Sequence, residues 1–208
     1  MDTARNAILV DFGGVLTSSV LAAFNEFGAS IGGDPKLPLT LLASDPQAKK
    51  LLSEHESGRM DAETFEQGFA QRLSAHGAPV EAEGLLARIH AGLTPDDETA
   101  ALVAELRAAG HPVAVVSNAL GADLYQGFTL TDLADEVVIS SEVGIRKPSR
   151  RIYALACERL GVVPEHAVLI DDLQQNLDGA ARIGIAGVLH TRAEDTRHQL
   201  ATRFGIVG

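Results

Sequence analysis

The chain reads as an α/β protein, a Rossmann-like parallel sheet core with a helical subdomain inserted after the first strand. Three observations predict this class. Five short runs, nearly continuous in apolar residues, have the composition of parallel strands buried on both faces. Helical patterns alternate with most of them, as a doubly wound sheet requires. Between the first and second runs the alternation fails, and only helix-like segments occur.

The first run, residues 8–10, stops at Asp11, with Gly13 and Gly14 close behind. Glycine weakens a strand and suits a tight turn or a backbone that approaches a ligand. Residues 18–93 follow, with helix-like segments at 20–27, 48–56, 62–75 and 81–91. Gly32, Gly33, Pro35 and Pro38 punctuate the start of this insert. Asp61 is placed to cap the segment 62–75. Phe65 and Phe69 lie four residues apart on one face of it, which marks them as subdomain core. The expected division is a core of residues 1–17 and 94–208 and a helical cap of residues 18–93.

Residues 95–109 form the clearest helix, with Thr94 as N-cap and Pro95 in the first turn. Asp96, Asp97 and Glu98 favour its positive end, and Gly110 stops it. Strand-like runs at 113–116, 137–139, 168–170 and 187–189 complete the sheet. Helices at 152–160 and 176–183, closed by Gly161 and Gly184, separate the last of them. No element is assigned beyond Leu189.

The 208 residues suffice for one sizeable domain or a domain carrying a subdomain. A net charge of −11 argues against nucleic acid or an anionic membrane as partner. It also means that a phosphorylated substrate needs local positive charge, which a divalent metal would supply. Cys157 is the sole cysteine, so no internal disulfide can form, and its helical setting marks it as packing. The seven histidines show no metal-ligand spacing, which excludes an obvious zinc site. The first apolar run is short and broken by Asp11, unlike a signal peptide or membrane span, so the expected compartment is the cytoplasm.

In a parallel sheet the carboxyl ends of the strands share one edge, where ligands bind. Here those ends carry Asp11, then Ser117 and Asn118, then Lys147 in the segment after the third run, then Asp171 and Asp172. Singly, each has an ordinary use: turn or helix capping for the Asp, Ser and Asn residues, a solvated surface for Lys147. In series they form a coherent site. Three carboxylates suit Mg²⁺, which takes carboxylates, waters and substrate phosphate. Asp11 could then attack phosphorus and form an acyl phosphate, while Ser117, Asn118 and Lys147 hold the non-transferred oxygens. Pro148 disfavours helical geometry at Lys147 and keeps it at a helix entrance.

These residues resemble the haloacid dehalogenase-like hydrolase superfamily, in its phosphatase-like branch with a small helical cap. Residues 11–17 (DFGGVLT) look like its first motif, Ser117-Asn118 its second and Lys147-Pro148 its third. Leu169-Ile170-Asp171-Asp172, with Asn176, Gly179 and Ala180, resembles the fourth. The resemblance implies a Rossmann-like core, an aspartyl-phosphate mechanism, and Mg²⁺ bound by Asp11, the Gly13 carbonyl and Asp172, with Asp171 nearby. The implied activity is Mg²⁺-dependent hydrolysis of a small soluble phosphomonoester. Sugar-phosphate phosphatases and the phosphatase-like domain of epoxide hydrolases look similar.

One departure matters. Phosphatases of this superfamily usually carry a second Asp two positions after the nucleophile as general acid and base, and Gly13 stands there. Such help is typically worth about 10²–10⁴ in rate. Two alternatives stay open: a 2-haloacid dehalogenase, which attacks carbon without metal, and a catalytically silent binding or regulatory module. The acidic pair Asp171-Asp172 argues against the first, and Gly13 keeps the second in view. Phe24, Asn25, Arg59, Ser18 and Ser19 are the candidate substrate contacts from the insert.

Overall fold

The computed structural model describes residues 5–208, the side chains of residues 122 and 123 excepted, so the first four residues of the expected core lie outside it. Among the described residues the five expected strands are β1 (Ala7–Val10), β2 (Val113–Ser117), β3 (Glu136–Ile139), β4 (Ala167–Asp171) and β5 (Ala186–Leu189). They form one parallel sheet in the order β3-β2-β1-β4-β5. Val10 pairs with Val115 on one side and Ile170 on the other, which brings Asp11 level with the ends of β2 and β4.

Alternation along each strand divides the core into two layers. Ile8, Val10, Val113, Val115, Val168 and Ile170 face one side. Helices α6 (Asp97–Ala108) and α11 (Ala193–Phe204) cover them. Leu9, Ala114, Val116 and Leu169 face the other side, under α9 (Arg150–Leu160) and α10 (Gln174–Ala181). Cys157 is buried in this second layer, as its helical setting implies.

Residues 18–93 contain only helices: α1 (Val20–Ser30), α2 (Leu37–Ser44), α3 (Pro46–Glu56), α4 (Ala62–Ala75) and α5 (Leu85–His90). Asp61 caps α4 through the Thr64 amide at 2.8 Å, as its position indicates. Phe65 and Phe69 are fully buried and stack at 5.6 Å, with His55 stacked on Phe65 from α3 at 4.8 Å. Their apolar cluster runs without a break into the β1 side chains Ile8 and Val10. The two chain crossings at the base of the insert are laced together. The Ser18 amide donates to the Thr94 carbonyl, the Thr94 amide donates to Ser18 Oγ, and Thr17 bridges Pro95.

That bridge corrects the expected start of α6. Thr94 and Pro95 lie outside the helix, and Asp96 is the N-cap, its carboxylate accepting from the Thr99 amide at 2.8 Å. Helices α2 and α11 were not anticipated, nor were two short ones beside β3. Pro38, read as punctuation, sits in the first turn of α2, where a missing N–H costs nothing. Helix α11 lies beyond the last assigned strand and is stopped by Gly205. The short helices α7 (Leu130–Leu133) and α8 (Ser140–Val143) border β3. No described helix is long and apolar enough to cross a membrane.

Phe65→Ala removes a ring packed between two others, a change that costs about 3–5 kcal/mol in well-packed cores. The expected outcome is a matching fall in unfolding free energy by denaturant titration, and a loss below about 1 kcal/mol would mean that the insert core repacks freely.

Candidate active site

Asp11, Ser117, Asn118, Lys147, Asp171 and Asp172 all gather at the carboxyl edge of the sheet. Lys147 is their hub. It is 1% exposed, with Nζ 2.5 Å from Asp11 Oδ1 and 2.9 Å from Asp171 Oδ2. Burial opposes the ammonium, but Asp11 and Asp171 outweigh it and hold the Lys147 pKa above its usual value. Its backbone is clamped as well: the Lys147 amide donates to Asn118 Oδ1 at 2.8 Å, and Asn118 Nδ2 donates to the Lys147 carbonyl at 3.2 Å. The Lys147–Pro148 peptide is cis.

Asp11 is oriented from two directions. Its Oδ1 also accepts from the Phe12 amide at 2.6 Å. The Phe12 ring is buried against Tyr125 and Phe128 at 4.9 and 4.8 Å, which anchors the turn carrying the carboxylate. Tyr125 O–H in turn donates to Ser117 Oγ at 2.8 Å. Asp171 is fully enclosed, accepting from the Leu173 amide and from Asn176 Nδ2 at 2.9 Å besides its bond to Lys147. Tyr153 fixes Asn176 by donating to its carbonyl at 3.0 Å.

Asp172 differs from its neighbour. It lines the cavity, and its Oδ1 is buried without a hydrogen-bond partner. Burial, then the charge of Asp171, pushes its carboxyl up to about 6. Burial likewise pushes Asp11 up, with Lys147 opposing and Asp171 and Asp172 adding to the rise. Three carboxylates thus face one ammonium. One oxygen from each of Asp11, Asp171 and Asp172 lies within 4.8 Å of the others, a spacing that could hold a metal ion. The unpartnered oxygen and the surplus negative charge both fit a hard divalent cation.

The glycines behind Asp11 have separate reasons. Gly14 adopts φ +83°, and a Cβ there would overlap the Asp172 carboxyl. At Gly13 a Cβ would come within 2.7 Å of Val20 Cγ2, so a side chain from α1 fills the space.

Above these groups lies a cavity of about 700 Å³ between the sheet edge and the helices of the insert. Phe24 lines it, whereas Asn25, Arg59, Ser18 and Ser19 do not. Arg59 pairs with Glu54 at 2.8 Å, and Ser19 caps α1. Among the cavity residues that sequence reasoning missed are Glu56 at the end of α3 and Arg146, which form an ion pair between insert and core. The Glu56 carbonyl also accepts from Ser140 Oγ, which accepts from the Ala119 amide. A charge at a helix end carries no signal of its partner 90 positions away, so nothing in the sequence marks this pair.

Residues 6–184 match the haloacid dehalogenase-like hydrolases, and the chain belongs to that family. It is an enzyme fold with hydrolase relatives of two kinds. It is 33% identical over 103 residues to the glyceraldehyde 3-phosphate phosphatase of Methanothermobacter thermautotrophicus, covering 47% of this chain and 45% of that protein. It is 30% identical over 95 residues to the (S)-2-haloacid dehalogenase of Pseudomonas putida, covering 44% and 42%. The chain spans less than half the length of the curated relatives it matches. Among solved structures, a family enzyme of Bacteroides thetaiotaomicron in complex with magnesium and inorganic phosphate shares the fold. Its TM-score is 0.65 at 22% identity, with 93% of this chain and 98% of that one covered.

Burial pushes Glu56 up to about 7 from 4.5, with Arg146 and then Lys147 opposing. Between those values the folded chain holds a proton that the unfolded chain has lost, so Glu56 makes stability fall as pH rises through this window. In chelator, Glu56→Gln should flatten the decline in thermal midpoint between about pH 5 and 7. An unaltered slope would show that the carboxyl titrates normally.

Proposed function

We propose that this chain is a Mg²⁺-dependent phosphomonoester hydrolase acting on a small phosphorylated metabolite in the cytoplasm, with residues 18–93 as its cap over a core of 1–17 and 94–208. The observation that carries the reading is Asp172, whose buried oxygen lacks a partner beside two further carboxylates. Dehalogenation at carbon needs no cation, so three clustered carboxylates with one oxygen unpartnered favour the metal-dependent reaction. The relationship to haloacid dehalogenases keeps that activity as the second reading, and metal dependence separates the two.

In this proposal Asp11, the Gly13 carbonyl and Asp172 hold the ion, while Asp171 is engaged in orienting Lys147. The bound cation offsets the repulsion between a phosphate dianion and the carboxylates. The Asp11 carboxylate attacks phosphorus and the ester P–O bond breaks. The departing alkoxide takes a proton, and water then cleaves the aspartyl phosphate to inorganic phosphate and free Asp11. Lys147 supplies fixed positive charge to the non-transferred oxygens. Ser117 accepts from Tyr125, and its own O–H, which makes only a long 3.4 Å bond to the Asn118 carbonyl, turns to the same oxygens when phosphate binds. Asn118 spends its side-chain amide on the Lys147 backbone, so its contribution is to position that residue.

With Mg²⁺, the chain should release phosphate from p-nitrophenyl phosphate, and Asp11→Asn and Asp172→Ala should each lower turnover about 10³-fold or more. Turnover surviving in Asp11→Asn would remove that residue from its role, and hydrolysis undiminished by chelator would remove the metal.

Gly13→Asp restores the missing acid but collides with Val20, so it is paired with Val20→Ala. The double variant should hydrolyse alkyl phosphates about 10-fold faster or more, within the range for general acid help. No gain would mean that the leaving group already receives its proton from elsewhere.

A further inference from the structure

The walls of the cavity bear on what the phosphate is attached to, given the phosphatase reading above. At about 700 Å³ the cavity extends well beyond the carboxylate cluster. Its roof is formed by Val20, Leu21 and Phe24 of α1, Leu39 and Leu42 of α2 and Leu52 of α3. Leu120 and Leu124 meet them from the core. The polar side chains that the insert adds are Lys49, Ser53 and Glu56, and Glu56 is already engaged by Arg146.

A sugar or polyol placed under this roof would give up water at several hydroxyls and meet, on the insert side, only Lys49 and Ser53 besides the paired Glu56, the polar lining of Asn118, Arg146, Gln175 and Asn176 lying on the core side. Each buried hydroxyl left unpaired lowers affinity roughly tenfold or more. An apolar group gains instead from every methylene transferred out of water. Leu21 carries the same message from the rim: it borders the cavity and remains 44% exposed, an apolar side chain that folding of the chain leaves in contact with solvent. The apolar wall is continuous with the site itself, since Val20 occupies the space beside Gly13, two residues from the nucleophile.

We infer that the substrate is the phosphate monoester of an apolar alcohol, its hydrocarbon chain of several carbons lying between α1, α2 and α3 and the sheet edge. Such a substrate differs from the hydroxylated glyceraldehyde 3-phosphate named for the phosphatase relative.

The test compares ethyl, butyl, hexyl and octyl phosphate with glycerol phosphate, below micellar concentration and with Mg²⁺, using p-nitrophenyl phosphate as reference. kcat/KM should rise about fourfold per methylene, the equivalent of about 0.8 kcal/mol, until the cavity is filled. Glycerol phosphate should fall below the butyl ester by roughly tenfold or more. Leu21→Asn, at an exposed position where folding is not at stake, should cut the octyl-to-ethyl ratio threefold or more, on the order of one buried methylene. A flat series, glycerol phosphate outrunning the butyl ester, or a ratio untouched by Leu21→Asn would each overturn the apolar-substrate inference while p-nitrophenyl phosphate turnover left the phosphatase reading standing. No turnover of p-nitrophenyl phosphate with Mg²⁺ would overturn both.

Discussion

One buried ammonium holds the strand ends together. Lys147 bonds Asp11 after β1 and Asp171 at the end of β4, and its backbone is gripped by Asn118 after β2. Removing an ion from water costs several kcal/mol even after relaxation, so Lys147 stays charged only because two carboxylates compensate it. The dependence runs both ways. Without the lysine, Asp11 and Asp171 would be buried like charges a few ångströms apart, and the orientation of Asp11 would be lost with them.

The compensation is incomplete, and that is where function enters. Asp171 is satisfied by Lys147, Asn176 and a backbone amide, whereas Asp172 faces the cavity with an oxygen that nothing in the chain satisfies. Adjacent residues of the same type therefore serve different ends. The first holds the scaffold and the second presents unneutralised charge. Asp171 is the last residue of β4, whereas Asp172 lies in the bend beyond it, where its side chain lines the cavity.

The insert shapes the site as much as it covers it. Its apolar cluster is continuous with the face of the sheet beneath it, and polar ties hold it down: the laced crossings at Thr17–Ser18 and Thr94–Pro95, the Glu56–Arg146 pair and the Ser140 bond to the Glu56 carbonyl. Val20 of α1 stands where a side chain at position 13 would go, so the glycine and the valine are two halves of one packing solution. That contact puts an apolar side chain in the space beside position 13, two residues from Asp11.

Much of this was written in the linear order of residues. Short apolar runs ending in Asp11, Ser117 and Asp171 define strands whose polar ends meet on one edge, because a parallel sheet leaves its carboxyl termini no other place. Asp61 and Phe65 announced their cap and their core for the same local reason: capping and helical periodicity act over a few residues. Packing acts over distance, and there local patterns were silent or misleading. Pro95, bridged to Thr17, lies outside α6, and Pro38 in the first turn of α2 marked a beginning where it suggested a break. The pairing of Glu56 with Arg146, the engagement of Asn118 with Lys147, and the unequal fates of Asp171 and Asp172 came only with the folded chain. Each depends on which groups remain within bonding reach once water has been excluded, and no spacing along the chain encodes that competition.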